Sequence, residues 1–396
     1  MTSRAPWPAL EHEERLWTPA AIYFSPSGTP PRKKRYFSAV PPLIATRPVE
    51  LEKKTLLAAE LATQELSRLD AEMGATLTNF APILLRSEAA SSSQIEKLTA
   101  SARSIFSAEA GMKTGRNAQM ILSNTKALQA GADATSMLDA EHLKVMHAAL
   151  TSNQKIHLAG AFRDEAVWIG TRSDSPIGAD FVAPHHSLVP GLLDDLMSFA
   201  ERGDVPSLVS VAITHAQFET IHPFTDGNGR VGRALAQVML KQRGVLRNTF
   251  VPVSAGLLAD VNGYHGALTA YREGNPDRVV KVFADASVRA VQNTRQLRSE
   301  LEQVLGSWTK QLGARTDSHA WRLLDFATET PVFSAAAAAE ALGVKPPNIY
   351  PALNAATQAG LLVKEHEHRL GSFWRAPDVL NALDRFAQRA GRRELP

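Results

Sequence analysis

His222-Pro-Phe-Thr-Asp-Gly-Asn-Gly-Arg-Val-Gly-Arg233 is the stretch on which the reading of this chain turns. It holds one imidazole, one carboxylate, two glycines around an amide, and two arginines three residues apart. The segment before it, Leu208 to Ile221 (LVSVAITHAQFETI), is apolar enough for a buried helix. The segment after it carries Val231, Leu235, Val238 and Met239, an i, i+4, i+7, i+8 stripe that predicts a second helix. The stretch therefore reads as helix, tight loop, helix. Glycines let Asp226-Gly-Asn-Gly229 turn successive backbone N–H groups toward one point. That point lies at a helix start, where the partial positive charge favours an anion. Arg230 and Arg233 share a helix face. Two guanidinium groups above an amide nest suit a polyphosphate, because each pairs with phosphate bidentately. Asp226 can hold a Mg²⁺ that bridges phosphate oxygens. His222, with an ordinary pKa of about 6.5, can take a proton from an attacking hydroxyl.

From the residues alone this is a nucleotide-phosphate site with a base beside it, the parts that phosphoryl-type transfer requires. A lone DGNG reads as a turn and a lone histidine as a structural residue; the whole ordered run reads as a site. The run matches the pattern HPFx[D/E]GNGRxxR at every defined position. The chain therefore resembles the Fic-domain protein adenylyltransferases, which move AMP from ATP onto a hydroxyl side chain of a target protein. That resemblance implies that His222 is the catalytic base and that Asp226 positions Mg²⁺. It implies that Gly227, Asn228 and Gly229 form the anion hole, and that Arg230 and Arg233, with Val231 and Gly232 between them, bind the phosphate tail. Phe224 is implied to anchor the loop in the core.

The 396 residues suffice for two or three domains, and 44% hydrophobic with 21% charged content is ordinary for a globular protein. A net charge of +3 does not argue for nucleic acid or an acidic membrane surface. There is no cysteine, which excludes disulfides, thiolate chemistry and cysteine-based zinc sites. No apolar run reaches membrane-spanning length, and the first twenty residues have no apolar signal core, so the cytoplasm is the expected location.

Residues 1–45 hold Trp7, Trp17, Pro19, Tyr23, Pro26, Pro30, Pro31, Tyr36, Pro41 and Pro42, a composition that predicts an extended arm and no regular helix. Its basic cluster, Arg32 to Arg35, reads as solvated loop. From Val49 to Leu85 the pattern turns helical, with Leu56, Leu57, Leu61, Leu66 and Leu69. Ser91-Ser-Ser-Gln-Ile-Glu96-Lys97 has the chemistry of a helix start. It also resembles the inhibitory pattern [S/T]xxxE[G/N] of some Fic proteins, over Ser92 to Glu96, with Lys97 where Gly or Asn is usual. The resemblance implies that Glu96 pairs with Arg233, and an arginine committed to a carboxylate cannot also pair bidentately with a phosphate.

Residues 113 to 150 read as further helix, including Met137 to Ala149. Gly160-Ala-Phe-Arg163 and Val167-Trp-Ile-Gly170 read as the two sides of a hairpin. It resembles the Fic flap, which pins the target segment by strand addition, and makes Val167, Trp168, Ile169 and Gly170 candidates for the flap and the nucleotide wall. Phe181-Val-Ala-Pro-His-His186 reads as a loop whose histidines lack a second ligand cluster. Tyr264 matches the family tyrosine that lines the adenosine pocket. Arg272 stands where relatives often carry Asn. Residues 277 to 312 read as an amphipathic helix that closes the Fic domain.

From about residue 316 the pattern is helix, turn, helix and two strands, a winged helix-turn-helix. Ser334 is placed as a cap, Gly343 as a helix end, Asn348 as the next cap with Pro351 in the first turn, and His368 to Arg375 as the return strand. From Arg315 to Pro396 there are ten Lys and Arg against nine Asp and Glu, and Lys345 alone is basic between Lys345 and Leu362. That is few phosphate contacts for DNA.

The expected fold is mainly α: a Fic-type helical core with a small β-hairpin flap and a C-terminal winged helix-turn-helix. The expected divisions are an arm at 1–45, an inhibitory helical region at 46–130, the catalytic domain at 131–312 and the winged helix at 313–396. The expected function is transfer of AMP from Mg-ATP to a Ser, Thr or Tyr hydroxyl of a protein target or of the chain itself, restrained by Glu96. The alternatives are another phosphate-linked donor, de-AMPylation, or a nucleotide-sensing winged-helix regulator. ATP and Mg²⁺ are the expected cofactors. A homodimer and a DNA complex stay open as partners, and no membrane is expected.

Overall fold

The computed structural model describes residues 7–17, 33–75, 80–133, 138–154, 159–170, 174–312, 319–367 and 371–391. The readings made above at Pro19, Tyr23, Pro26, Pro30, Pro31, Arg32, Met137, Arg315, His368 and Pro396 lie outside them. Among the described residues no helix is long and apolar enough to cross a membrane.

Two antiparallel strands come first, β1 (Glu11–Trp17) and β2 (Lys34–Val40), with Glu11 opposite Val40 and Trp17 opposite Lys34. Helices α1 (Lys53–Gly74), α2 (Ala81–Ile95), α3 (Ala102–Glu109), α4 (Arg116–Ala132) and α5 (Ala140–Thr151) follow. A two-residue ladder then pairs β3 (Trp168–Ile169) with β4 (Phe181–Val182). Next come α6 (Val189–Ala200), α7 (Ser207–Ile221), α8 (Asn228–Gln242), α9 (Val253–Leu258), α10 (Val261–Arg272) and the long α11 (Pro276–Gln311). The C-terminal part has α12 (His319–Glu329), β5 (Val332–Ser334), α13 (Ala335–Leu342), α14 (Pro346–Gln358), β6 (Val363–Glu367), β7 (Gly371–Arg375) and α15 (Pro377–Arg389). Its antiparallel sheet runs β5-β7-β6. That is the expected order of helix, turn, helix and two strands, with one more strand ahead of α13.

The chain forms two compact units that alternate along the sequence. The first comprises Met1–Glu60, Ala130–Leu240 and Asn262–Phe283; the second comprises Leu61–Gln129, Lys241–Val261 and Ala284–Pro396. The first is built around α7. Every residue from Leu208 to Ile221 is buried, so this helix has no polar face. Several of its buried polar groups are tied to neighbours. Gln217 donates to the Pro42 carbonyl and accepts from the Tyr271 hydroxyl, and Thr220 returns to the Ala216 carbonyl. In the second unit, α2 packs on α9. Buried Glu88 accepts from the Ser254 backbone and hydroxyl, and Asp70 accepts from the backbone of Arg247, Asn248 and Thr249.

Four local expectations are corrected. Ser91 to Lys97 ends a helix rather than starting one. The run Ile83, Leu84, Leu85 and Ala89 is buried and carries α2 on through buried Ser91, Ser92 and Ser93, while Pro82 marks its true start. Glu96 is the C-cap. Lys97 takes the left-handed conformation at φ 62°, and the Leu98 and Lys97 N–H groups bond back to the Ser93 and Gln94 carbonyls. That is a Schellman ending with lysine where glycine is commonest, at a cost of about 1 kcal/mol. The partner of Val167 to Gly170 is Phe181–Val182 and not Gly160 to Arg163, because the Arg163 N–H is already bonded to the Pro223 carbonyl. Asn348 and Pro351 lie inside α14, which starts after Lys345 with prolines in its first two positions, where a missing N–H costs nothing. Lys34 and Arg35, expected in a solvated loop, instead open β2, paired with Trp17 and Leu16, with both side chains exposed. The placements of Ser334 and Gly343 hold: the Ser334 hydroxyl accepts from the Ala337 N–H, and Gly343 ends α13 at φ 66°.

Candidate active site

The site is assembled at the junction of α7 and α8. α7 ends because Pro223 follows His222 and disfavours the helical conformation for the residue before it. His222 takes the left-handed conformation, φ 51° and ψ 61°, with its N–H still bonded to the Phe218 carbonyl at 2.8 Å. A non-glycine residue holds that shape only where its surroundings over-determine it, and Arg163 supplies much of the constraint. Its Nε donates to the His222 carbonyl at 2.8 Å and its Nη2 to the Ile221 carbonyl at 3.3 Å, while its own N–H reaches Pro223. These are carbonyls that a helix end leaves without an internal donor. Burial pushes the Arg163 guanidinium down to about 10, which leaves it charged at neutral pH. The His222 ring is half-buried, within reach of solvent.

The loop is pinned from inside. Phe224 is fully buried, stacked on His147 with centroids 3.9 Å apart and tilted against Phe162. Asn228 points inward: its Oδ1 accepts from the Phe224 N–H at 2.9 Å and its Nδ2 donates to the Phe224 carbonyl at 2.8 Å. The Asn228 side chain closes the loop, so its backbone is what it can offer to an anion. His147 grips the next residues. Its Nδ1 accepts from the Gly160 N–H at 3.1 Å, so the proton sits on Nε2, which donates to the Asp226 carbonyl at 3.2 Å. Gly227 has φ 80°, and a Cβ there would meet Leu150 at 2.8 Å, so both backbone and space require glycine. At Gly232 a Cβ would meet Glu219 at 2.7 Å and Phe218 at 2.9 Å, which is how closely α8 passes α7.

Arg230 and Arg233 leave the first turn of α8 and are buried, at 3% and 2% exposure. Asp226 is half-exposed, with Oδ2 3.4 Å from Arg230 Nη2. One open carboxylate beside a helix start fits Mg²⁺, which binds through one or two carboxylates and substrate phosphates rather than through a protein cage. Among the described residues no three His, Asp or Glu side chains converge as a metal cage.

The flap ladder is short. Asp180 N–H bonds the Ile169 carbonyl at 2.8 Å and Ala183 N–H bonds the Val167 carbonyl at 3.1 Å. Trp168 lies edge-on to Trp17 of β1, at 5.4 Å. Ile169 and Gly170 are exposed. Tyr264 is buried, with its hydroxyl 2.8 Å from His215 Nε2. Burial pushes His215 down to about 3, so that imidazole is neutral. The Arg272 guanidinium lies over the Phe181 ring, 3.7 Å from its centroid, and its Nη2 donates to the Glu219 carbonyl at 3.2 Å. The structure thus gathers His222, Asp226 to Arg233, Val167 to Gly170, Tyr264 and Arg272 in the first unit; Glu96 belongs to the second. His147, His215 and the grip of Arg163 were not read from sequence, since each acts on backbone or on a partner far away in the chain.

Residues 137–240 match the Fic/DOC family and residues 56–133 the Fic/DOC family N-terminal region. Among curated relatives, a probable protein adenylyltransferase of Aquifex aeolicus is 40% identical over 81 residues, 20% of this chain and 25% of the relative. The protein adenylyltransferase fic-1 of Caenorhabditis elegans is 24% identical over 185 residues, 45% of this chain and 34% of the relative. The matched stretches span about a quarter to a third of these relatives. A solved Fic family protein from Desulfovibrio desulfuricans shares the fold, with a TM-score of 0.53 at 21% identity over 84% of this chain and 98% of that one. Within residues 137–240, which match the Fic/DOC family, a helix-loop-helix ends α7 on the left-handed His222 and opens α8 with two buried arginines, and that region reads as a Fic-type domain.

Proposed function

We propose that this chain is a protein adenylyltransferase, transferring AMP from ATP to a hydroxyl side chain of a protein. The observation that carries the reading is the left-handed His222 at the end of α7, beside the N-terminus of α8 and its two arginines. His222 accepts the proton of the target hydroxyl. The oxygen bonds to the α-phosphorus as the bond from that phosphorus to the bridging oxygen breaks, and pyrophosphate leaves with the electron pair. The N–H groups of Gly227, Asn228 and Gly229 face the phosphates, and Arg230 and Arg233 neutralise the tail. Asp226 would hold the Mg²⁺, which supplies charge neutralisation on the phosphate oxygens. Tyr264 and Arg272 lie on the adenosine side. Val167 to Gly170 offer a strand edge to the target segment. The donor reading and the target class also rest on relatives named protein adenylyltransferase.

Glu96 is the proposed restraint, acting on Arg233 so that the phosphate tail cannot settle. Residues 131–312 are proposed as the catalytic part, 46–130 as the inhibitory part and 313–396 as a winged helix for protein contact. ATP labelled at the α-phosphate should transfer label to protein, and ATP labelled at the γ-phosphate should not. Label entering from the γ-position alone would make the chain a kinase-like relative instead. Arg233→Ala should weaken ATP binding by calorimetry; unchanged affinity would place the phosphate tail elsewhere.

A further inference from the structure

We infer that Arg163 and Arg272 are a pair of positioning residues that staple the flap to the end of α7 and so fix the height of a target hydroxyl above His222. The inference rests on the transfer reading given above for its functional part, and on geometry alone for its mechanical part.

A two-residue antiparallel ladder has little stability of its own. Two rungs, Asp180 to Ile169 and Ala183 to Val167, cannot hold a strand edge steady against a docking peptide. The two arginines supply what the ladder lacks. Arg163 works at the base of the hairpin. Its Nη1 donates to the Glu165 carbonyl at 2.9 Å, just before β3, and its Nη2 to the Pro184 carbonyl at 2.6 Å, just after β4. The same guanidinium holds Ile221 and His222 at the end of α7. One buried planar group therefore fixes both legs of the flap and the backbone of the proposed base. No lysine could do this, because an ammonium has no fork of five coplanar donors.

Arg272 works higher up. Its guanidinium stacks on Phe181, the residue of β4 that pairs with Ile169. It also donates to the Glu219 carbonyl, with Nε 3.5 Å from the Thr220 hydroxyl, one turn before His222. Burial pushes it down to about 10, and it stays charged. A cation over a ring face is attracted by the ring's quadrupole, more so where water is excluded. Both arginines therefore bridge the same two elements, one at the hinge of the flap and one along its strand. In this chain Arg272, where the resembling family often carries asparagine, acts on the flap strand through Phe181.

The test is amide hydrogen exchange of the full chain, read at Asp180 and Ala183. Arg272→Gln and Phe181→Leu should each speed exchange at these amides about tenfold, and the double variant should add little, because both remove one contact. Arg272→Lys should recover part of the protection. Amides of α13 to α15 should not change. Unchanged exchange at Asp180 and Ala183 would overturn the inference, and so would an equal rise throughout the chain, which would make the contact ordinary core packing. With ATP labelled at the α-phosphate, Phe181→Leu, which removes the same contact from the flap side, should lower transfer while leaving the KM for ATP unaltered. A raised KM for ATP in Arg272→Gln with normal flap exchange would assign Arg272 to the nucleotide alone. Faster flap exchange in a chain that transfers no label in any variant would keep the staple and remove the transfer reading.

Discussion

Arginine is used in opposite ways in two regions of this molecule. Around His222, Arg163 and Arg272 are buried or nearly so and spend their donors on backbone carbonyls and a ring face. Around α11 and α15, arginines lie near the surface and face carboxylates. Arg295 pairs with Glu65 and Glu72, and Arg385 and Arg389 pair with Glu300. The first arrangement satisfies neutral acceptors that would otherwise be orphaned, and water cannot replace it easily. The second links charged groups that water and salt already solvate well. Local geometry at the site should therefore be insensitive to ionic conditions, whereas α11 and its partners should respond to them.

The largest expected effect is on chemistry. His222→Ala should lower transfer by about a hundredfold to ten-thousandfold, with an unchanged melting temperature; a large fall in melting temperature would mean that the ring holds the fold as well. Next comes the contrast itself. Arg163→Ala leaves several buried carbonyls without donors and should cost about 3 kcal/mol or more by denaturant unfolding. Arg295→Ala should cost under about 1 kcal/mol. Equal losses would break the comparison. A smaller effect concerns acid. Arg295 beside Glu72 holds that carboxyl below its ordinary value of 4.5. A group depressed on folding contributes stability that is present above its unfolded pKa and lost as pH falls through the folded one. Unfolding scans from pH 6 to pH 3 should show this contribution fading below about pH 4.5 in the wild type and absent in Glu72→Gln. The smallest effect is that of salt. Raising it to about 1 M should shrink the Arg295→Ala deficit and leave the Arg163→Ala deficit unaltered, since the Debye length falls to about 3 Å.

The sequence was legible where chemistry and fold coincide in a short run. His222 to Arg233 reads correctly as helix, loop and helix because proline and glycine force the break, and the apolar run of α7 leaves no other reading. Ser334 and Gly343 are legible for the same local reason. Ser91 to Lys97 misled because a serine before a glutamate resembles a helix start; only tertiary burial of the three serines decides that α2 continues through them. The flap partner was also hidden. Arg163 had already committed its backbone to Pro223, a pairing that spans sixty residues of sequence and leaves no periodic trace. His147 escaped notice because its partners, Gly160 and Asp226, are backbone groups whose identity says nothing about it.

The central claim is that His222 drives adenylyl transfer and that Glu96 restrains it. Intact-mass spectrometry after incubation with Mg-ATP tests it most directly, comparing the wild type, Glu96→Gly and Glu96→Gly with His222→Ala, each with a cell lysate as the source of targets. The account predicts adenylyl adducts, on the chain or on lysate proteins, that rise in Glu96→Gly above the wild type and vanish when His222 is also removed. Adducts that persist without His222, or that are absent from Glu96→Gly, would contradict it.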